Sequence, residues 1–158
     1  MSHTIRILIT RPDFRTLPAW KLPVYPRSAG LSEYHEGDIQ DSTPRPFVQL
    51  NWCLSGRGDV IQEGKEFQIE PGGVWFTPPG LRCFTRQREG VLRIRWITFD
   101  GPDAERFLDG YGYARHLAVS GECPEEAFRR FEGGLRENTA EAMRRNIAVL
   151  CEILAAAG

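Results

Sequence analysis

Residues 47–99 read FVQLNWCLSGRGDVIQEGKEFQIEPGGVWFTPPGLRCFTRQREGVLRIRWITF, a run in which short apolar segments alternate with glycine-containing turns. The first and last segments alternate apolar and polar residues, as half-buried strands do, since successive side chains of a strand point to opposite faces. Short strands separated by such turns are typical of an antiparallel sandwich or barrel. The predicted turns contain Gly56/Gly58, Gly64, Gly72/Gly73, Gly80 and Gly90.

The residues on either side of this run have a different character. Residues 1–46 hold more than half of the eleven prolines, which predicts an extended arm with a short strand over residues 5–9. Residues 101–158 are predicted to be mostly helical. We expect a short helix from about Pro102, a return to the sheet over residues 114–119, and a helix from Pro124 to about Glu137. Thr139 is the expected N-cap of a last helix.

The last helix carries an apolar stripe at helical spacing. Together with the helix before it, this element predicts an antiparallel helical hairpin. The stripe can cover the chain's own barrel or meet a second copy of the chain, and we favour the second role. The predicted dimerisation residues are Met143, Ile147, Leu150 and Leu154.

Composition limits the kind of protein this is. The formal net charge is −1, which argues against a grip on a nucleic-acid backbone by these residues. No apolar run approaches the length of a membrane helix, and the start lacks the pattern of a secretory signal. The four cysteines show no C-x-x-C spacing. We therefore expect a cytoplasmic globular chain with reduced thiols and no membrane partner.

The sequence offers little for catalysis or metal binding. Its histidines (His3, His35 and His116) are scattered, and no nucleophile motif accompanies them. Residues 72–83 resemble the second signature of the cupin superfamily, with Cys83 where a metal-ligating histidine usually stands. The strand pair expected to carry the first signature, around Asp59, has no histidine. We therefore predict no catalytic residues, no metal site and no cofactor.

Four motifs in order narrow the resemblance. They read LSGRG (residues 54–58), PGG (71–73), PPG (78–80) and WITFDG (96–101). They resemble the sensor domain of AraC-type (AraC/XylS) transcription regulators over about residues 47–112, and the helical hairpin fits that family too. The resemblance implies a mainly β chain, a cupin-like antiparallel barrel of jelly-roll type followed by the hairpin. It implies an arm plus ligand-binding barrel over residues 1–119 and a dimerisation hairpin over residues 120–158.

The resemblance also implies a function. A small-molecule effector, either a sugar or a small acid, would bind inside a metal-free barrel, and the chain would form a homodimer. DNA would be contacted only through a C-terminal helix-turn-helix domain, which is absent from this chain. The candidate ligand-binding residues are Trp96, Ile94, Thr85, Ser55, Cys83 and Tyr34.

Other side chains are given secondary roles. Arg45 and Arg82 are held in reserve as partners for an anionic effector, while Trp52 is expected in the core. Arg93 and Arg95, opposite Trp96 on their strand, are expected to be solvated. Two alternatives stay open: a cupin-type enzyme, such as a sugar epimerase, isomerase or dioxygenase, and a carbohydrate-binding module.

Overall fold

The described part of the chain folds into an antiparallel sheet followed by helices. A computed structural model describes residues 3–12, 22–112, 118–137 and 139–158. In chain order the elements are β1 (Thr4–Thr10), β2 (Tyr25–Tyr34), β3 (Ile39–Ser42), β4 (Val48–Gln62), β5 (Lys65–Ile69), β6 (Gly73–Thr77), β7 (Cys83–Asp100), α1 (Ala104–Gly110), β8 (Ala118–Val119), α2 (Glu125–Glu137) and α3 (Ala140–Ala157). The predicted β fold with C-terminal helices is confirmed.

Two long strands, β4 and β7, form the middle of the sheet. They pair from Val48↔Phe99 to Gln62↔Cys83. A wide half has the order β1-β2-β7-β4-β6-β8, and in a narrow half β3 and β5 flank the other ends of β7 and β4. Trp75 from the wide half and Val60 from the narrow half belong to one buried cluster, so the two halves face each other across a common interior.

The predicted turns at Gly56/Gly58 and Gly90 are wrong, because β4 and β7 run through them. The β4–β7 register shifts three times between Cys53 and Gly58, which marks β-bulges. Gly56 has a φ of +72°, and a Cβ on it would lie 2.5 Å from the Val91 carbonyl oxygen. This glycine therefore bends a long strand where the sequence predicted that the strand would end. The turns at Gly64, Gly72 and Gly80 are confirmed.

The description of residues 1–46 as an extended arm is also wrong. The short strand over residues 5–9 is confirmed as part of β1, but β2 pairs with both β1 and β7 and is mostly buried. The sequence analysis missed this strand because it interpreted the prolines of the segment as evidence against regular structure. Pro26 lies at a register shift of the β2–β7 pairing, a position where a strand tolerates proline. Residues 13–21 and 113–117 lie outside the described part of the chain.

Helices α2 and α3 cover the outer face of the wide half. Their bounds agree with the prediction, and the Thr139 hydroxyl accepts a hydrogen bond from the Ala142 amide at 3.0 Å. Trp52 packs with Phe128 and Phe131 of α2 in the larger core cluster, so its predicted core role is confirmed. Within the described residues, no helix has the length and hydropathy needed to span a membrane.

The apolar stripe of α3 packs largely inside the molecule. Leu150 and Leu154 lie in the core cluster under the sheet, and Met143 is 2% exposed. Ile147 is half-buried. Three of the four predicted dimerisation residues are thus buried within this chain itself, because the most apolar face of the helix packs toward the sheet. A dimer through α3 stays a prediction, and Ile147 is the residue of the stripe that is left accessible to a partner.

Arg95 corrects another expectation. Its side chain is 1% exposed, whereas Arg93 is half exposed and donates to Glu33 at 2.7 Å. Arg95 donates to both carboxylate oxygens of Glu125 at 3.1 and 3.2 Å, and it also pairs with the buried Glu132. Both arginines are on the outer face of β7, but α2 covers only one of them. Arg95 therefore joins the sheet to the hairpin.

Candidate functional site

A small, partly open cavity lies between the two halves of the sheet. Its volume is about 30 Å³, which is room for about two water molecules. Strands β3, β4, β6 and β7 and the loops that follow β3 and β6 supply its wall. The residues that line it are Gln40, Ser42, Thr43, Arg45, Phe47, Gln49, Asn51, Thr77, Pro78, Leu81, Cys83 and Thr85.

The deep end of the cavity is formed around Cys83. Burial raises the pKa of its thiol, and the neighbouring side chains of Thr77, Thr85 and Trp75 only partly oppose this shift. The thiol is therefore protonated near neutral pH. Trp75 is 1% exposed and does not line the cavity, and its indole lies beside the Cys83 thiol without reaching full hydrogen-bond geometry.

The β4 side of the wall is polar because of strand alternation. Val48, Leu50 and Trp52 point to the helices, so Gln49 and Asn51 between them point inward. Gln49 donates from Nε2 to the Asn51 Oδ1 at 2.8 Å. This bond leaves the Asn51 Nδ2 group without a protein acceptor in the described residues. The wall therefore presents a preoriented amide donor to the cavity.

Tyr34 and His3 meet near the β3 wall. The Tyr34 hydroxyl donates to Gln40 Oε1, and burial raises the pKa of this tyrosine. The His3 ring stacks on Tyr34 with 4.8 Å between ring centroids. Burial lowers the pKa of His3, with Asp38 raising it and Arg45 lowering it further. His3, directly before β1, thus contacts the outside of the site.

The two arginines considered for an anionic effector have different surroundings. Arg82 donates to Asp41, with Nε 2.7 Å from Oδ1, and does not line the cavity. Arg45 does line it, and its Cζ lies 5.7 Å from the centroid of the Phe47 ring. Within the described ranges no carboxylate forms an ion pair with Arg45. The cavity wall thus contains one solvent-exposed cation that forms no ion pair with a carboxylate of the described residues.

The predicted ligand residues fall into three groups. Cys83 and Thr85 line the cavity. Ile94, Tyr34 and Trp96 lie in or against the buried cluster beside it, where Trp96 donates from Nε1 to the Ser32 hydroxyl at 3.0 Å. Ser55 is at a bulge of β4, does not line the cavity, and donates to the Val91 carbonyl at 2.9 Å. Contact of these residues with a ligand stays a prediction.

Sequence reasoning missed several of the cavity residues. Gln49 and Asn51 are the polar residues of the alternating pattern that predicted the strand. The face on which they lie could therefore have been predicted from the sequence. Gln40 and Ser42 were missed because β3 itself was not predicted. Their contribution depends on pairing between β3 and the first residues of β7, which are distant in sequence.

The side chains around Cys83 do not fit the metal site that the cupin signature implies. Across the described ranges, no group of three or more His, Cys, Asp and Glu residues is arranged to hold an ion. The side chains around Cys83 are two hydroxyls and an indole, and its thiol is protonated. A structural or catalytic ion needs at least three convergent ligands, with thiols deprotonated.

Two larger depressions lie elsewhere on the surface. A groove of about 650 Å³ runs past Arg57, Asp59 and Arg88, whose charges pair with one another or with Glu70, Glu89 and Arg86. Another of about 470 Å³ lies between the β5–β6 turn and the start of α2. The small cavity differs from both in lying between the two halves of the sheet and in having the Asn51 amide donor in its wall.

Comparison with solved structures finds cupin folds. The cupin domain of Cnp3 from Schizosaccharomyces pombe matches at 16% identity and a TM-score of 0.46, over 68% of this chain and 74% of that chain. The cupin domain of an XRE-family transcriptional regulator from Enterobacter cloacae matches at 12% identity and a TM-score of 0.46, over 62% and 96%. A predicted oxalate decarboxylase from Thermotoga maritima matches at 19% identity and a TM-score of 0.44, over 46% of this chain and 65% of that chain, slightly under two thirds.

The sequence comparisons are more specific. None of the curated proteins compared with this chain matches it significantly. The family model of the AraC-like ligand-binding domain matches residues 25–151, which include β2 to β8, the cavity wall, α1, α2 and most of α3. The resemblance that rests on the four sequence motifs is thereby confirmed over most of the sequence. This chain belongs to the family of AraC-like ligand-binding domains.

Proposed function

We propose that this chain is the effector-sensing and dimerisation domain of an AraC-type transcription regulator. It binds a small molecule in the cavity between the sheet halves and controls a DNA-binding domain outside this chain. The observation that carries the proposal is the polar cavity between the sheet halves, whose wall holds the Asn51 Nδ2 donor and the Arg45 cation, neither paired with a partner among the described residues. A ligand that accepts hydrogen bonds there would satisfy both groups.

The chemistry of the wall supports binding over catalysis. The residues that line the cavity include no histidine and no carboxylate. The Cys83 thiol has a raised pKa, so it is a poor nucleophile near neutral pH. General acid–base catalysis needs a group that changes protonation near the working pH. We therefore propose a sensor that does not act as an enzyme.

The structure offers a route from the cavity side of β7 to the hairpin. Ile94 and Trp96 point toward the interior, and Arg95 between them binds Glu125 and Glu132 of α2. A ligand that favours one arrangement of β7 would therefore bias the position of α2. An effector shifts a regulator only by binding one arrangement better than the other. The hairpin is where we expect the second copy to bind.

A cytoplasmic location is part of the same proposal. Cys53, Cys83, Cys123 and Cys151 are all free thiols in the structure. Burial raises the pKa of Cys53 and of Cys123 to about 12, so both are unreactive. Free, unreactive thiols suit a reducing compartment.

The ligand part of the proposal is tested by thermal denaturation against a library of neutral sugars and small acids. We expect a compound that raises the Tm of the wild-type chain and leaves the Asn51→Leu variant unchanged, since that variant loses the amide donor of the wall. Gln68→Leu, on exposed β5, is the matched control and keeps the response. A library without any hit that depends on Asn51 contradicts the proposal, as does turnover of a substrate.

The dimer part is tested separately by sedimentation velocity at high micromolar concentration. We expect a mass of two chains, and a lower one for Ile147→Glu. Ala148→Glu, at the next and exposed position of α3, tests whether the interface extends around the helix. A wild-type chain that stays strictly monomeric contradicts dimerisation through these residues.

A further inference from the structure

We infer that the effector is a small carboxylic acid whose carboxylate contacts Arg45 and the inner donors of the cavity. This inference rests on the proposed function and specifies its ligand. Arg45, Asn51 and Gln40 carry it, because they line one cavity and hold hydrogen-bond donors without an acceptor among the described residues.

The hydrogen-bonding capacity of the wall favours an acceptor-rich ligand. The acceptors Asn51 Oδ1 and Gln40 Oε1 already accept from Gln49 and from Tyr34. The Thr77 hydroxyl donates its hydrogen to Gln62 Oε1 at 3.0 Å. On the lining side chains, the Asn51 Nδ2 and Gln40 Nε2 groups are left as donors. The hydroxyls of Ser42 and Thr43 can donate as well as accept, and Gln49 Oε1 can accept. A carboxylate accepts hydrogen bonds only, so it can bind the amide and hydroxyl donors of this set.

The charge of the wall leads to the same conclusion. Arg45 is the cation of the lining, and the lining has no carboxylate to balance it. Arg82 nearby is neutralised by Asp41 and adds little to the field. A guanidinium binds a planar carboxylate through paired hydrogen bonds, which a neutral sugar hydroxyl does not match.

The size and the rim of the cavity describe the rest of the ligand. Its volume of about 30 Å³ holds about two water molecules, which matches the two oxygens of a carboxylate. Phe47, Pro78 and Leu81 supply apolar surface to the wall, and the cavity is partly open. The remainder of the acid is therefore apolar and small, and it extends toward the open side.

Isothermal titration calorimetry with matched acid and amide pairs tests the inference. The probes are sodium benzoate with benzamide and sodium butyrate with butyramide, at pH 7 and fixed ionic strength. We expect at least one acid to bind and its amide to bind far more weakly. Arg45→Gln should weaken the acid on the order of tenfold to a hundredfold, as for loss of hydrogen bonds to a charged group. Arg144→Gln, exposed on α3, removes the same charge and should keep the wild-type affinity.

The outcomes separate this inference from the proposed function. If acid and amide bind equally, if neither acid binds, or if Arg45→Gln leaves acid affinity unchanged, the carboxylate assignment is wrong. A library compound that is neutral and depends on Asn51 then leaves the sensor function standing. If no compound of either kind depends on Asn51, both proposals are wrong.

Discussion

His3 shows how a single residue connects the N-terminal strand to the site. Its ring stacks on Tyr34, whose hydroxyl is bound to the cavity residue Gln40. Burial lowers the pKa of His3 below the ordinary value, so the folded state prefers the neutral ring. The unfolded chain therefore binds more protons in the interval just below the ordinary histidine pKa of about 6.5.

This preference predicts a pH dependence of stability. The contribution of His3 is complete above about pH 6.5 and is lost as the pH falls toward the lowered pKa of the folded state. We expect the free energy of unfolding, measured by urea denaturation, to decrease between pH 7.5 and pH 5.5 more steeply in the wild type than in His3→Phe. The phenylalanine keeps the stacked ring and cannot be protonated. Parallel curves for the two proteins would refute this role.

The face of a strand on which a residue lies was easier to predict from the sequence than the burial of its side chain. Strand alternation correctly separated Trp52 from Asn51, because alternation is a local property of the chain. It did not separate Arg93 from Arg95, which share a face of β7. Only the position of α2 over one end of that face decides that Arg95 is buried and that Arg93 stays half exposed. No pattern within β7 carries that information.

At the scale of elements, glycine proved ambiguous. Gly56 and Gly64 have the same φ of +72°, yet Gly64 closes a hairpin and Gly56 lies at a bulge within β4. Both conformations favour glycine, so the sequence signal is the same. The difference arises from Val91 and Leu92, which lie against Gly56 from the neighbouring strand. Turn prediction therefore succeeded where the contacts are local and failed where β7 intervenes.

The start of α3 offers a test at this scale. The Thr139 side chain satisfies the Ala142 amide, one of the donors left open at a helix start. We expect Thr139→Ala to lower the free energy of unfolding by about 1 kcal/mol. Thr139→Ser keeps the hydroxyl and is expected to stay within a few tenths of the wild type. Equal losses in the two variants, measured by urea denaturation, would show that the hydroxyl does not stabilise this helix.

At the scale of the whole molecule, the sheet separates two cores. One core contains Trp52 and the helices, and the other contains Trp75 and the cavity side. Arg95 crosses from β7 to α2 on the helix side, where it also donates to the Gly30 carbonyl at 3.2 Å. It is 1% exposed and Glu132 is 6% exposed, so removal of Arg95 leaves a buried carboxylate without its partner, whereas removal of Glu132 leaves Arg95 bound to Glu125.

A double-mutant cycle measures this connection. We expect Arg95→Leu to lower the free energy of unfolding by about 3–5 kcal/mol, because it leaves the buried Glu132 carboxylate unpaired. Glu132→Leu should cost less, because Arg95 keeps its hydrogen bonds to Glu125. The double variant should recover much of the Arg95→Leu loss, since both charges are then absent. Arg130→Leu, which breaks an exposed pair with Glu152, is the control and should leave the stability close to that of the wild type. Strictly additive losses at Arg95 and Glu132 would argue against a coupled pair.

The overall architecture was more predictable than its interior. Turn motifs and a helical tail were sufficient for the fold class, because they depend on short stretches of chain. The cavity wall was not predictable as a set, since Gln40 comes from β3, Asn51 from β4 and Thr85 from β7. These strands meet only after the long pair folds back on itself. The sequence likewise did not show which residues of the hairpin stay accessible, because this depends on the sheet, which covers Leu150 and Leu154.

The alternation along β7 has a genetic consequence. Ile94 and Trp96 lie on the interior side of the sheet, whereas Arg95 and Ile97 lie on the side that is covered by the helices. A saturation scan of this strand would therefore yield two interleaved phenotypes. Under the proposed function, changes at Ile94 and Trp96 would alter ligand binding, and changes at Arg95 and Ile97 would alter the coupling of the sheet to the hairpin. Variants with a changed ligand preference are thus best sought at alternate codons of this segment.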